Sequence, residues 1–313
     1  MKKENVLYFQ GVVLVLLSAL MFGITPVIGK LSYENGCNPV MLGFLRSFLA
    51  VPFLAVIMKM RQVSFAISRK EAVSAAVAGV FGTTLTVLTL YLSYTYIPVG
   101  TATTLHFLYP AFVMAASIIF FRERMTGYKA VSLLLSLCGV VTFAGKGGAG
   151  MGIVLALVSA VSYAFYTVYL DRSVLKQMDS LKVNFYTSLF MSAAMFAAGI
   201  VSGQFTLGLT PAGWLCSLTV SILASVIGVT CFQAGVRRIG AVSTGMYSLL
   251  EPVGSLAAGA LFLGERVPPA SILGCCFILA SLTIYGRRCT GAVSGGGEQN
   301  KKRISVKSAF QRP

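Results

Sequence analysis

The chain has 313 residues, of which 56% are hydrophobic and only 11% are charged, and its mean hydropathy is +0.82. A soluble globular protein carries about 25% charged residues because its surface must be solvated. The composition therefore excludes a pair of soluble domains and predicts an integral membrane protein. The net charge of +16 would suggest nucleic-acid binding in a soluble chain, but here it is interpreted as the basic excess of cytoplasmic loops.

Ten apolar segments follow one another along the chain, separated by short polar, proline or glycine-containing gaps. Each is long enough to cross a hydrocarbon core about 30 Å thick. An open sheet cannot span lipid and the runs are too continuous for barrel strands, so the segments are predicted to be helices. Spans one to ten cover 11–31, 38–58, 72–96, 99–121, 127–145, 150–170, 183–203, 212–236, 241–263 and 268–286.

The distribution of lysine and arginine predicts the orientation. With the N-terminus inside, 21 of the 25 basic residues fall on the inner side and two, Lys146 and Arg266, in outer loops. The other two are Lys30, near the outer end of span one, and Arg46, inside span two. This positive-inside asymmetry predicts a multi-pass protein of the cell membrane with both termini cytoplasmic. Residues 1–10 form a short inner segment, and the glycine-containing, basic 287–313 segment is predicted to be a disordered cytoplasmic tail.

The sequence contains an internal repeat. A shift of 142 residues places Leu108-Tyr109-Pro110 on Leu250-Glu251-Pro252 and superimposes the charged motifs that follow spans four and nine. The repeat is five helices long, over 11–145 and 150–286, and five is odd, so the halves must have opposite orientations. The predicted fold is an all-α membrane protein with ten transmembrane helices as two inverted five-helix repeats, which is typical of secondary transporters. Duplication retained for packing alone is the alternative.

These motifs resemble those of the EamA-type permeases of the drug/metabolite transporter superfamily, over residues 10–286. The matching pieces are Leu45-Arg46-Ser47-Phe48-Leu49-Ala50, Pro110, Phe121-Arg122-Glu123-Arg124-Met125-Thr126, Leu250-Glu251-Pro252-Val253, Leu263-Gly264-Glu265-Arg266-Val267 and Gly274. Arg122 departs from the family by replacing the glycine that Gly264 retains. The resemblance implies a cavity lined by spans one, three, four, six, eight and nine, with five and ten peripheral, but it does not identify the cargo.

Three ionisable side chains lie near the middle of predicted spans, where a charge is costly and usually marks a transport pathway. Arg46 is a candidate for binding a substrate carboxylate through its planar fork, or for a structural ion pair. Glu251 is a candidate coupling group for protons, or a residue that shapes a kink with Pro252. His106, the only histidine, is either a cavity-lining residue or a buried structural one.

Hydroxyl and aromatic residues at similar depth extend the candidate substrate site. Tyr163 and Tyr166 share a face of span six, while Thr83 on span three and Tyr247 on span nine offer comparable groups. Ordinary interhelical hydrogen bonding is the alternative for each. Together these residues describe a cavity with polar and aromatic walls that suits a small amphipathic cargo.

No motif predicts a metal, a cofactor or catalysis. A single histidine rules out a histidine cluster, the seven cysteines form no framework, and the glycine-rich 145–150 segment follows a membrane helix and not a strand. We therefore predict a secondary transporter that is not an enzyme and has no nucleic-acid partner. It would export a small metabolite, with amino acids as candidates, by alternating access, and protons are the candidate coupling ion. A membrane enzyme acting on lipid and a structural or sensory protein are the alternatives; oligomeric state is left open.

Overall fold

The computed structural model describes residues 3–97, 99–142, 150–263 and 269–309, and within these ranges every regular element is a helix. The first half contains α1 (Lys3–Glu34), α2 (Pro39–Phe48), α3 (Ala50–Met60), α4 (Arg69–Val77), α5 (Leu85–Ser93), α6 (Val99–His106), α7 (Tyr109–Phe121) and α8 (Gly127–Val141). The second half contains α9 (Gly150–Arg172), α10 (Ser180–Val201), α11 (Pro211–Val220), α12 (Val229–Ser248), α13 (Glu251–Leu263) and α14 (Pro269–Ala309).

The predicted all-helical membrane fold is confirmed. In the described residues, eight helices are long and apolar enough to cross a membrane, and they contain predicted spans one to four, six to eight and ten. Span five is α8, a shorter apolar helix. Span nine is divided: it begins after Gly240, whose φ of 80° kinks α12, and continues as α13.

Spans three and eight contain π-helical segments at corresponding places in the two halves. The first, Ala78–Thr84, joins α4 to α5, and the second, Ser221–Gly228, joins α11 to α12. Spans four and nine are likewise both broken, between α6 and α7 and between α12 and α13. Each break lies at one of the two aligned proline motifs. The helix irregularities therefore recur in the two halves at positions that also correspond in sequence. Such irregular turns frequently occur at functional sites.

The two halves interlock. Helix α1 packs between α12 and α13 of the second half, and α9 packs between α5, α6 and α7 of the first. Helix α8 packs along α14 at the edge of the bundle, where Ser136 and Ser281 hydroxyls lie 2.6 Å apart. Because the first helix of each half packs among the helices of the other half, the centre of the protein is an interface between the two repeats.

Two local features differ from simple expectation. Arg122 caps α7 with φ of 54°, in the left-handed region that glycine adopts freely and that costs another residue about 1–2 kcal/mol. This geometry explains why the EamA-type motif usually has a glycine at this position. The last helix continues to Ala309, through residues for which the sequence predicts disorder; no proline interrupts it. The predicted outer-loop residues Lys146, Glu265 and Arg266 lie outside the described ranges.

Candidate functional site

A buried cavity of about 100 Å³ lies at the centre of the bundle, where the two halves meet. Most of its wall comes from spans one, three, four, six and nine, and span two contributes Arg46. The residues that line it are Phe22, Thr25, Pro26, Arg46, Thr86, Val87, Leu90, Tyr91, Tyr94, Thr103, His106, Phe107, Tyr163 and Glu251. Spans five and ten contribute none of these residues, which agrees with their place at the edge.

The cavity adjoins a wider vestibule of about 390 Å³. The two spaces share Thr25, Pro26, Tyr91 and Tyr94 in their walls, and the vestibule extends to Lys30, which is exposed. In the predicted orientation this end of the bundle faces outward. A solute in the vestibule would therefore meet one cation at the rim and a second, Arg46, at the cavity below it.

Arg46 is buried, and neutral groups hold its guanidinium. Its Nε donates to Ser225 Oγ at 3.1 Å and its Nη1 donates to the Tyr91 hydroxyl at 3.0 Å. Ser221 Oγ donates to the backbone carbonyl of Arg46 at 2.9 Å. Among the described residues, none of the three ion pairs involves Arg46 and Nη2 has no hydrogen-bond partner. The guanidinium thus has neutral ligands at Nε and Nη1 and donor capacity left at Nη2.

Glu251 is the second ionisable residue on this side of the cavity wall. It is only 6% exposed, and its Oε1 has no hydrogen-bond partner in the described part of the chain. It begins α13 directly after the break in span nine. A buried carboxyl oxygen without a partner carries a desolvation penalty of about 1–3 kcal/mol or more, so a donor from a ligand would stabilise it.

His106 and Tyr163 form an aromatic side of the cavity. The His106 ring lies 2.8 Å from Ser159 Oγ through Nδ1, which fixes the ring against α9. Tyr163 lies between His106 and Phe232, with ring centroids 5.3 Å away in each case, and meets Tyr109 edge-on at 4.6 Å. These rings give the cavity an apolar wall beside its two charged groups.

Three other residues that the sequence predicts for the site lie away from this cavity. Thr83 donates back to Gly79 O at 2.9 Å within its own π-helical segment. Tyr166 accepts from Gln233 Nε2 at 2.8 Å and its ring stacks on Phe232 and on Tyr163, one ring further from the cavity. Tyr247 lies 3.4 Å from the Tyr8 hydroxyl.

The end of the bundle opposite the vestibule carries ionic contacts. Arg172, at the end of α9, pairs with Glu123, which follows α7, and its guanidinium lies 4.5 Å from the Phe121 ring. Asp171 pairs with Lys176 at 2.6 Å. The first contact joins the ends of spans four and six, and the second lies at the end of span six. In the predicted orientation both lie on the inner side.

Several residues of the site are absent from the sequence-based set. Tyr91 and Tyr94 line the cavity, and Ser225 contacts Arg46 from span eight. The sequence could have indicated Tyr94, since Thr86, Leu90 and Tyr94 are spaced four residues apart and therefore lie along one face of a helix. Ser225 and Ser221 are recognisable in the sequence as hydroxyls at mid-depth of span eight, but no spacing connects Ser225 to Arg46. The described residues contain no group of three His, Cys, Asp or Glu side chains placed to hold a metal.

Comparison with known proteins gives consistent matches along the whole bundle. The sequence profile of the EamA-like transporter family matches residues 9–144 and again 150–287. An uncharacterized transporter of Clostridium kluyveri is 23% identical over 285 residues, covering 86% of this chain and 91% of that protein. A probable terminal-alkyne amino-acid exporter of Streptantibioticus cattleyicolor is 25% identical over 209 residues, covering 63% and 67%. One solved crystal structure superimposes with a TM-score of 0.75 at 18% identity, over 88% of this chain and 96% of that one.

Proposed function

The chain belongs to the EamA-like transporter family, and from that premise we propose that it is a secondary transporter that exports a small carboxylate-bearing metabolite, with amino acids as the leading class. The observation that carries the proposal is the buried Arg46 charge, which faces the central cavity with no carboxylate partner among the described residues. Membership of the family establishes a multi-pass membrane transporter. The cargo, its direction and its coupling are the proposed part.

The energetics of Arg46 favour an anionic cargo. Moving an arginine side chain to the centre of a membrane helix costs about 2.5–3.5 kcal/mol on insertion scales. The hydroxyls of Ser225 and Tyr91 accept from two guanidinium donors but leave the charge uncompensated. A carboxylate on the free side would make a charge-assisted bond, which is roughly twice as strong as a neutral one. A carboxylate cargo therefore supplies what the protein itself does not provide at this position.

The position of Glu251 extends the argument to amino acids. It lies in the same cavity wall as Arg46, and its unpartnered Oε1 is an acceptor for an ammonium group. An amino acid carries both charges, and its side chain would contact the rings of His106 and Tyr163. The relative from Streptantibioticus cattleyicolor is named as a probable amino-acid exporter, which supports the same class. Glu251 is also the residue available to exchange protons if transport is coupled to them.

The proposed mechanism is alternating access between the two repeats. The cavity lies where the halves interlock, the vestibule is open at one end, and the Glu123–Arg172 pair closes the other. Breaking those ionic contacts while the vestibule closes would expose Arg46 to the opposite side. The basic asymmetry of the loops supports an inward position for both termini in the cell membrane, and export is then movement from the closed end to the vestibule.

The test is uptake into proteoliposomes that contain the purified full-length protein. The panel pairs each L-amino acid with its carboxamide, which keeps the ammonium and side chain but lacks the carboxylate, and each assay is run with and without a pH gradient. We expect uptake of at least one amino acid and none of its amide. The variant Lys59→Gln, which removes a cation from α3 outside the cavity, is the matched control and should transport normally. Equal uptake of acid and amide, or no uptake of any amino acid, would contradict the proposal.

A further inference from the structure

The contact that orients Arg46 depends on a backbone irregularity in span eight. In the π-helical segment Ser221–Gly228 the N–H of Val229 bonds to Ala224 O, five residues back. In an α-helix that N–H would bond to Ser225 O. The wider turn therefore takes the usual donor from the Ser225 carbonyl, which is buried and requires another partner.

Asn184 on α10 supplies that partner. Its Nδ2 donates to Ser225 O at 2.7 Å and to Thr230 Oγ1 at 2.9 Å, and its Oδ1 accepts from Ser188 Oγ at 3.1 Å. Only the nitrogen can donate to a carbonyl, so the Ser225 contact settles which way the amide faces. Asn184 is completely buried and lies outside the set of cavity-lining residues. The amide nitrogen therefore holds span eight, while the amide oxygen is anchored by Ser188 on the same helix as Asn184.

The same residue that Asn184 holds through its backbone binds Arg46 through its side chain. Ser225 Oγ accepts from Arg46 Nε at 3.1 Å, while Nη2 remains without a partner among the described residues. With Nε held by Ser225 and Nη1 held by Tyr91, Nη2 is the terminal nitrogen left for a ligand. Asn184, on span seven, thereby holds the backbone of Ser225, whose side chain binds the Arg46 guanidinium.

We propose that Asn184 is a positioning residue for the cargo site: it fixes Ser225, and through Ser225 the Arg46 guanidinium, so that Nη2 is presented to a carboxylate. The proposal rests on the proposed function of Arg46 and adds the residue that maintains its geometry. It assigns to span seven, which contributes no cavity-lining residue, a direct effect on cargo affinity.

The test measures binding of L-leucine and its amide to purified variants in detergent, as ligand-induced shifts in melting temperature. Asn184→Leu keeps the approximate shape and removes the amide, and we expect the affinity for L-leucine to fall about tenfold. Ser192→Ala, which removes a hydroxyl that bonds only to Leu189 O of the same helix, is the control and should bind normally. Lower thermal stability of Asn184→Leu with unchanged affinity would overturn the inference.

A double-mutant comparison separates positioning from general disturbance. Arg46→Lys has no Nε to be oriented, so Asn184→Leu should change affinity less than twofold in that background, since the two residues act through one contact. An equal, tenfold loss in both backgrounds would overturn the inference, because the effect would then be independent of the guanidinium.

A readout without cargo distinguishes failure of this inference from failure of the proposed function. Methylglyoxal condenses with the two terminal nitrogens of arginine, and mass spectrometry reports modification of Arg46 over time. We expect Arg46 to be modified faster in Asn184→Leu than in the wild type, and at the wild-type rate in Ser192→Ala. A faster rate with no binding of L-leucine would support the positioning role and contradict the amino-acid proposal. An unchanged rate would overturn the positioning role whatever the cargo is.

Discussion

The Nε of Arg46, in the first repeat, donates a hydrogen bond of 3.1 Å to the hydroxyl of Ser225, in the second. The charge in the cavity is therefore oriented by the other half of the molecule. In the proposed alternating access the halves move relative to each other, so this bond would lie at the interface that rearranges. A cargo that binds Arg46 would in this way contact the junction between the repeats directly.

Arg46→Lys should weaken cargo binding while leaving the protein folded. Lysine keeps the charge but loses the planar fork and the Nε contact with Ser225. A hydrogen bond to a charged group contributes roughly 1.5–3 kcal/mol, so apparent affinity should fall about 10- to 150-fold. Affinity and melting temperature are measured on the same purified sample, with Lys59→Arg as control. Normal affinity with a lowered melting temperature would assign Arg46 a structural role.

Glu123→Gln should make the closed end of the bundle open more readily. The substitution removes the charge that pairs with Arg172, and the two side chains are 32% and 36% exposed. A pair this exposed contributes up to about 1 kcal/mol, so the open population should rise no more than about fivefold. The rate of labelling of Thr86→Cys, a cavity position, is measured from the inner side in a background without native cysteines.

The matched control for that experiment is Arg124→Gln, which changes the charge of a neighbouring exposed residue outside the described ion pairs. It should label at the unmodified rate. If Glu123→Gln also labels at that rate, the Glu123–Arg172 pair does not hold the inner end closed.

Gly23→Ala should destabilise the bundle, whereas Gly29→Ala on the same helix should be tolerated. A Cβ at Gly23 would lie 2.8 Å from Glu251 O and 2.9 Å from Ser255 N, which are backbone atoms of α13. At Gly29 the nearest atom is Leu42 Cδ2 at 3.5 Å, an ordinary contact. Overpacking of this kind costs about 1–3 kcal/mol. Thermal unfolding in detergent compares the two variants. Equal melting temperatures would show that α1 and α13 can move apart without a loss of stability.

Cysteine labelling should place both termini inside the cell. In a cysteine-free background, Gln204→Cys in the loop after α10 should react with an impermeant reagent in intact cells, and so should cysteines introduced at 146–149. Lys176→Cys, between α9 and α10, should react only after permeabilisation. The reverse pattern would invert the orientation, and with it the identification of the vestibule as the outward opening.

Much of this protein could be predicted from its sequence because the decisive signals are local. Span length follows from bilayer thickness, and the apolar runs report it without reference to neighbours. The repeat remains visible as self-similarity, and the breaks in spans four and nine lie at the aligned Tyr109-Pro110 and Glu251-Pro252 pairs. Arg46, His106 and Glu251 were predictable candidates because ionisable groups within membrane spans are rare, and the structure brings all three to one cavity.

The remaining features depended on tertiary structure, for a geometric reason. Helix-face reasoning assumes about 100° of rotation per residue, and that assumption fails at the break before Glu251 and in the π-helical segments. Spacing also does not show that Tyr247 contacts Tyr8 or that Thr83 bonds back to its own helix. Arg46 and Ser225 are 179 residues apart, and no local pattern connects them. Composition and periodicity determined which residues enter the membrane; the packing of one repeat against the other decided which of them meet.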